Sequence, residues 1–144
     1  MRDGKHVIAA HISDIEIYNT STWELVTAIT GAATGGLTDV AVSPSQSFLA
    51  ATSREGFLRV FTFDGEPVQA IPLGGQARNV EFLTDAQLLA GTLFGPVIVV
   101  THDVDELFEI ARSRLTHSFT AVECETYRFD PCPTLEEFKS GPTS

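Results

Sequence analysis

The sequence predicts an all-β fold over residues 1–102: a four-stranded antiparallel unit used almost three times, with a short helical tail after it. Three observations lead there. First, three segments line up at a spacing of about 40 residues, VIAAHISDIEIYN from Val7, FLAATSREGFLRVFT from Phe48 and LLAGTLFGPVIVVT from Leu88. Each opens on two apolar residues and a small pair (Ala9-Ala10, Ala50-Ala51, Ala90-Gly91), then passes through a turn into a second apolar stretch. Second, the flanks repeat: TWELVTAI from Thr22 matches DGEPVQAI from Asp64, and LTDVAVSP from Leu37 matches ARNVEFLT from Ala77. Third, the apolar period is two residues throughout these units and lengthens to about 3.6 after Thr101, the change that separates strands from helix.

The second unit is complete. Its strands fall near 38–43, 48–53, 57–63 and 67–71, with Gly, Pro, Ser, Asp and Asn at the boundaries. In the third strand of each unit, Ile15 and Ile17 align with Leu58 and Val60 and with Val97 and Val99, giving one apolar face. The opposite face is mixed, with Glu16 and Tyr18, Arg59 and Phe61, Ile98 and Val100. A sheet covered on both sides has this pattern, and the small pairs suit places where neighbouring sheets approach closely. In the first unit Arg2-Asp3-Gly4-Lys5 reads as the turn before the second strand, so the unit lacks its first strand; the third unit has three strands. Four strands in about 40 residues is the period of a propeller blade. The predicted architecture is therefore a partial β-propeller of about 2.75 blades where closed rings use four to eight. Its blades cover 1–30, 37–72 and 77–102, and residues 103–144 form the helical extension. A sandwich of unrelated hairpins needs no such repeat.

In the extension, Val104, Leu107, Phe108, Ala111 and Leu115 have helical spacing. Asp103 with Glu106, Thr120 with Glu123 and Thr134 with Glu137 form cap signatures, in which a side-chain oxygen accepts an otherwise unpaired backbone N–H. Helices follow near 104–115, 121–128 and 134–139, and Pro131 and Pro133 part the last two. A strand over Leu107 to Ile110 is the alternative, since a blade wants a fourth strand there.

Composition narrows the function. The chain has 144 residues, 43% hydrophobic and 19% charged, which suits a globular core. Nineteen acidic against nine basic side chains give a net charge of −10, which argues against nucleic acid or anionic membrane as partner. No apolar run approaches the roughly 18 to 20 residues that span a bilayer, and the N-terminal apolar stretch is short for a signal peptide; a cytoplasmic chain is expected. Gly31 to Gly36 lacks the Lys of a phosphate loop, and no nucleophile elbow is present. His102-Asp103-x-Asp105 has metal-ligand residue types, but Asp103 serves better as a helix cap; His6, His11, His102 and His117 show no paired spacing. The expectation is no catalytic residue, no metal site and no cofactor. Cys124 and Cys132 can clip the last helices as a disulfide or stand as two small buried apolar residues; a cytoplasmic location favours thiols. Candidate partner contacts are Trp23, in the third turn of the first unit opposite Gly65, Arg54 and Glu55 in a turn of the second, and Arg112 and Arg114 in the tail. The turns at Asp3-Gly4-Lys5, Ser43-Pro44 and Arg54-Glu55-Gly56 are the candidate binding loops.

The segment AVSPSQSFLAATSREGFLRVFTFDGEPVQAI, from Ala41, resembles one full repeat of the WD-repeat propeller family. Tyr18-Asn19, Phe61-Thr62 and Val100-Thr101 stand where that family has Trp-Asp. The segment ELFEIARSRLTHSFTAVECETYRFDPCPTLEEF, from Glu106, resembles the extension that closes WD-repeat regions of large bacterial signalling proteins, actinobacterial ones in particular. Arg112, Arg114, Thr120, Glu123, Cys124 and Cys132 are among the matching positions, and His117 stands where an Arg is commoner. These resemblances imply a non-catalytic sensor or interaction platform with protein partners, carried behind an NTPase or DNA-binding module. The missing blades come from upstream in a longer chain or from copies of this one. Two other readings stand beside it, a fragment of a propeller enzyme of lactonase or quinone-dependent dehydrogenase type and a self-completing structural oligomer.

Overall fold

Apolar–polar alternation between Gly- and Pro-marked turns produces ten strands among the described residues, and the computed structural model describes residues 4–140. They are β1 (His6–His11), β2 (Asp14–Asn19), β3 (Leu25–Ile29), β4 (Leu37–Val42), β5 (Phe48–Ser53), β6 (Phe57–Thr62), β7 (Pro67–Pro72), β8 (Ala77–Phe82), β9 (Gln87–Thr92) and β10 (Val97–Thr101). Antiparallel pairing orders them as β1-β2-β3, β4-β5-β6-β7 and β8-β9-β10. The middle sheet is the complete four-stranded unit, and the outer two have three strands each. The expected turn at Arg2-Asp3 lies outside the described residues; its Gly4 and Lys5 carbonyls accept from Thr20 Oγ1 and the Thr20 N–H at 2.8 Å.

The repeat extends to irregularities. Ladder slips fall between Leu37 and Asp39 in β4 and at the equivalent Ala77 and Asn79 in β8. They recur between Ile17 and Tyr18 in β2 and at Val60 and Phe61 in β6. Such bulges twist a strand at a fixed point, so matched bulges give matched sheet shapes. The pairing also corrects the alignment of the second strands. Val42 pairs with Leu49 and Phe82 with Leu88, so Leu49, not Phe48, is the counterpart of Leu88. The cause is the turn: 43–47 between β4 and β5 is one residue longer than 83–86 between β8 and β9. A one-residue slip reverses the face of every side chain that follows. The small pairs Ala9-Ala10 and Ala90-Gly91 thus match Ala51-Thr52.

Two apolar layers hold the sheets face to face. Between the first and second lie Ile15, Ile17, Ile29, Ala32, Leu49, Ala51 and Phe61. Between the second and third lie Ala50, Leu58, Val60, Ala77, Val80, Phe82, Leu88 and Ala90. Leu49, Ala50, Ala51 and Thr52 of β5 are buried, their successive side chains facing opposite neighbours.

By internal contacts the chain falls into two compact units, divided between His102 and Asp103. The second holds α1 (Val104–Arg114), α2 (Ala121–Tyr127) and α3 (Leu135–Ser140), so Leu107 to Ile110 are helical, not a fourth strand. Asp103 accepts from the Glu106 N–H at 2.9 Å, which starts α1. Thr120 and Glu123 form a reciprocal capping box on α2, and Glu137 accepts from the Thr134 N–H at 2.8 Å ahead of α3. Phe119 lies 5.2 Å from both Phe129 and Phe138, centroid to centroid. Cys124, buried, is disulfide-bonded to Cys132, with Cα atoms 5.6 Å apart.

Aligned positions of different burial make a direct test. Leu58→Ala removes a fully buried side chain and is expected to cost about 3 kcal/mol in urea unfolding. Val97→Ala, at the matching position of the third sheet, is expected to cost less than about 0.5 kcal/mol.

Candidate interaction surfaces

One face of the repeat has two different fates. Ile15, Leu58 and Val97 are aligned, as are Ile17, Val60 and Val99. Ile15, Ile17, Leu58 and Val60 are 0% exposed, while Val97 is 65% and Val99 58% exposed. The face that each earlier sheet presses against its successor is open on the third. The converse holds on the first sheet. Val7, 37% exposed, aligns with Leu49 at 0%, and Ala9 is exposed where Ala51 is buried. The middle sheet alone is covered on both sides.

Polar and ring contacts also bridge the two layers, and the ring contact repeats. The Asp39 carboxylate accepts from the Val40 N–H at 2.9 Å and from the Val80 N–H of the next sheet at 3.1 Å. Asn79 holds the matching position on the third sheet and is exposed. His6 meets Phe63 edge-on at 5.4 Å, and the aligned pair Phe48 and His102 meets at 4.8 Å. His102 Nε2 lies 2.7 Å from the Asp85 carbonyl oxygen. These histidines and Asp103 therefore serve the fold, and no group of three or more His, Cys, Asp or Glu among the described residues could hold a metal ion.

The turns collect at two ends. At one end lie the β1–β2, β5–β6 and β9–β10 turns and the β3–β4 and β7–β8 loops, tied together by Leu37 N–H to Ile12 O at 2.6 Å and Leu73 N–H to Gly56 O at 2.9 Å. Arg54 is exposed here. Glu55 is engaged within the chain: it accepts from Thr34 Oγ1 and pairs with Arg59 at 2.6 Å. These two partners hold its carboxyl down at about 2. Ser43-Pro44 lies at the opposite end, where the Asp85 carboxylate accepts from the Ser45 N–H at 2.9 Å and is held below its ordinary range by it. Trp23 is also at that end, 69% exposed, with φ +59 at the turn position that Gly65 fills with φ +94. In the tail, Arg112 pairs with Glu109 at 2.6 Å on its own helix, and Arg114 is exposed in the last turn.

Sequence reasoning missed Ile12 and Phe94, 73% and 97% exposed at hairpin tips. A large apolar residue in a turn, where polar residues prevail, was the signal available.

Two outcomes follow. A carboxyl whose folded value lies below its unfolded value stabilises above the unfolded value and loses that contribution as pH falls through the folded one. Glu55→Gln should therefore lower stability near neutral pH, by about 1 kcal/mol after solvent screening, and match the parent near pH 2, as read by urea unfolding across pH. Trp23→Gly removes a side chain from a left-handed position and should raise the unfolding free energy by about 1 kcal/mol, read as a higher urea midpoint.

No protein-family model matches the sequence, and no curated protein matches it. Solved structures do. The β-propeller domain of Cps50 (Swd1) from Myceliophteria thermophila superposes with a TM-score of 0.64 at 13% identity, covering 69% of this chain and 33% of that one. U3-55K superposes with a TM-score of 0.62 at 16% identity, covering 72% and 34%. The chain spans about a third of each of these structures. Together with the three stacked antiparallel sheets, they establish the fold as part of a β-propeller.

Proposed function

We propose that the chain is a segment of a WD-type propeller serving as a non-catalytic protein-interaction platform, the C-terminal propeller part of a bacterial signalling or regulatory protein. The observation that carries the reading is the burial contrast at aligned positions: Ile15, Ile17, Leu58 and Val60 at 0% against Val97 at 65% and Val99 at 58%. An apolar sheet face of this kind gains about 25 cal/mol per Å² when covered. The geometry that covers it twice within the chain, the first strand of a following blade, is the geometry that suits the open flank. Upstream blades of a longer chain supply the cover in this reading. The bacterial signalling assignment rests on the tail segment from Glu106 and its resemblance. An enzyme of propeller type would need His, Asp, Glu or Asn recurring at aligned inward positions; the aligned small positions of the second strands are instead Ala9, Ala51 and Ala90, then Ala10, Thr52 and Gly91.

The same open flanks favour a second reading, in which copies of this chain complete the ring. No helix among the described residues is long and apolar enough to cross a membrane. The proposal places the chain in the cytoplasm, where the Cys124–Cys132 bond would be reduced and the rings of Phe119, Phe129 and Phe138 would hold the tail helices together.

Sedimentation velocity and binding of an apolar-surface dye test this. The parent chain is expected to bind the dye and to associate progressively with concentration. The double variant Val97→Lys/Val99→Lys is expected to reduce both by at least about threefold. A monodisperse ring-sized oligomer would favour the second reading. A strict monomer that ignores the dye would end both.

A further inference from the structure

The end formed by the β1–β2, β5–β6 and β9–β10 turns differs in chemistry from the rest of a chain of net charge −10. Its turn carboxylates are half-buried and bonded within the chain. Asp14 accepts from Ser13 Oγ at 3.1 Å and the Gly31 N–H at 2.8 Å, and Glu55 accepts from Thr34 and pairs with Arg59. What remains is cationic: Arg54 and Arg78 are both exposed and make no ion pair among the described residues. The opposite end is acidic, with Glu24, Asp64, Glu66 and Asp85 exposed against Lys5.

The cationic end is also the apolar one. Ile12, 73% exposed, and Phe94, 97% exposed, occupy the hairpin tips of the outer sheets, and Arg54 occupies the tip between them. The three belong to one continuous surface floored by glycines. A Cβ on Gly36 would lie 3.7 Å from the Ile12 carbonyl oxygen and 4.0 Å from Arg54 Cδ. Beyond Arg54, Gly56 approaches the next loop so closely that a Cβ there would come within 2.8 Å of the Gly75 carbonyl oxygen. Gly75 in turn lines a cleft of about 270 Å³ with Leu73, Leu93 and Phe94 on its walls.

We propose that this end binds an extended peptide segment of a partner protein in which Asp or Glu is flanked by large apolar side chains. Arg54 pairs with the carboxylate, Arg78 adds to the local potential, and the apolar side chains rest against Ile12 and in the cleft beside Phe94. A planar guanidinium between apolar contacts is the combination that recurs at binding hot spots. Two arginines are too few to hold a nucleic acid, whose affinity rises with each phosphate neutralised. The inference rests on the propeller reading, because the three tips form one surface only when the sheets are stacked.

Fluorescence anisotropy with the full chain provides the test. The probes are a short labelled peptide with a central Asp-Glu pair between Leu and Phe residues, its counterpart with Lys replacing both acids, and a labelled single-stranded oligonucleotide. The acidic peptide is expected to bind, more weakly as salt rises, and the Lys peptide is not. Arg54→Glu and Phe94→Ala should each weaken binding at least about fivefold, whereas Asp64→Lys at the opposite end should leave it unchanged. Equal binding of the two peptides, preference for the oligonucleotide, or indifference to Arg54→Glu overturns the proposal. Circular dichroism of the same samples separates the two levels. A β-sheet spectrum without peptide selectivity defeats this inference alone, and loss of the β-sheet spectrum defeats the propeller reading with it.

Discussion

Everything in the β-region depends on one contact: the flat apolar face of one sheet pressed against the face of the next. A single antiparallel sheet of three or four strands has no interior, and its side chains stand on two surfaces. It becomes stable only when those surfaces are covered. The middle sheet shows the satisfied state. Ala50 and Ala51 are adjacent in β5 and both buried, yet they belong to different layers, one facing each neighbour. Small residues at that point let the sheets come together. The outer sheets show the unsatisfied state at the same repeat positions, which is why burial, compared across the repeat, identifies where further protein belongs.

The contact also determines where chemistry can sit. Positions between sheets are occupied by apolar side chains and by polar groups already bonded across the layer, as with Asp39 bridging to the Val80 N–H. Variation is free only at the turns, which the stacking gathers at two ends. Those ends have diverged. Glu55, tied to Thr34 and Arg59, contributes rigidity to one of them and leaves its charge unavailable. The exposed carboxylates gather at the other. Loops held by a rigid scaffold are where proteins of this construction carry recognition.

In the helical unit each helix starts at a side-chain cap, at Asp103, Thr120 or Thr134. α1 and α3 have no buried residue, and Cys124 is the buried residue of α2. Short helices of this kind form by local capping and are held by a few ring contacts and the Cys124–Cys132 link, in place of a broad apolar core.

The sequence by itself determined the elements. Alternation marked the strands, the spacing of LLAGT and its counterparts marked the repeat, and Asp103, Thr120 and Thr134 marked the helix starts, because each is a local pattern with a local cause. Which residue faces which neighbour was decided only by tertiary pairing. One extra residue in the 43–47 turn moved Leu49, not Phe48, into register with Leu88, and a slip of one exchanges the two faces of a strand. The exposure of Ile12 and Phe94, the engagement of Glu55 and the gathering of unpaired arginines at one end were equally out of reach. They arise from residues about 20 to 40 positions apart meeting across stacked sheets, and no window along the chain contains both partners.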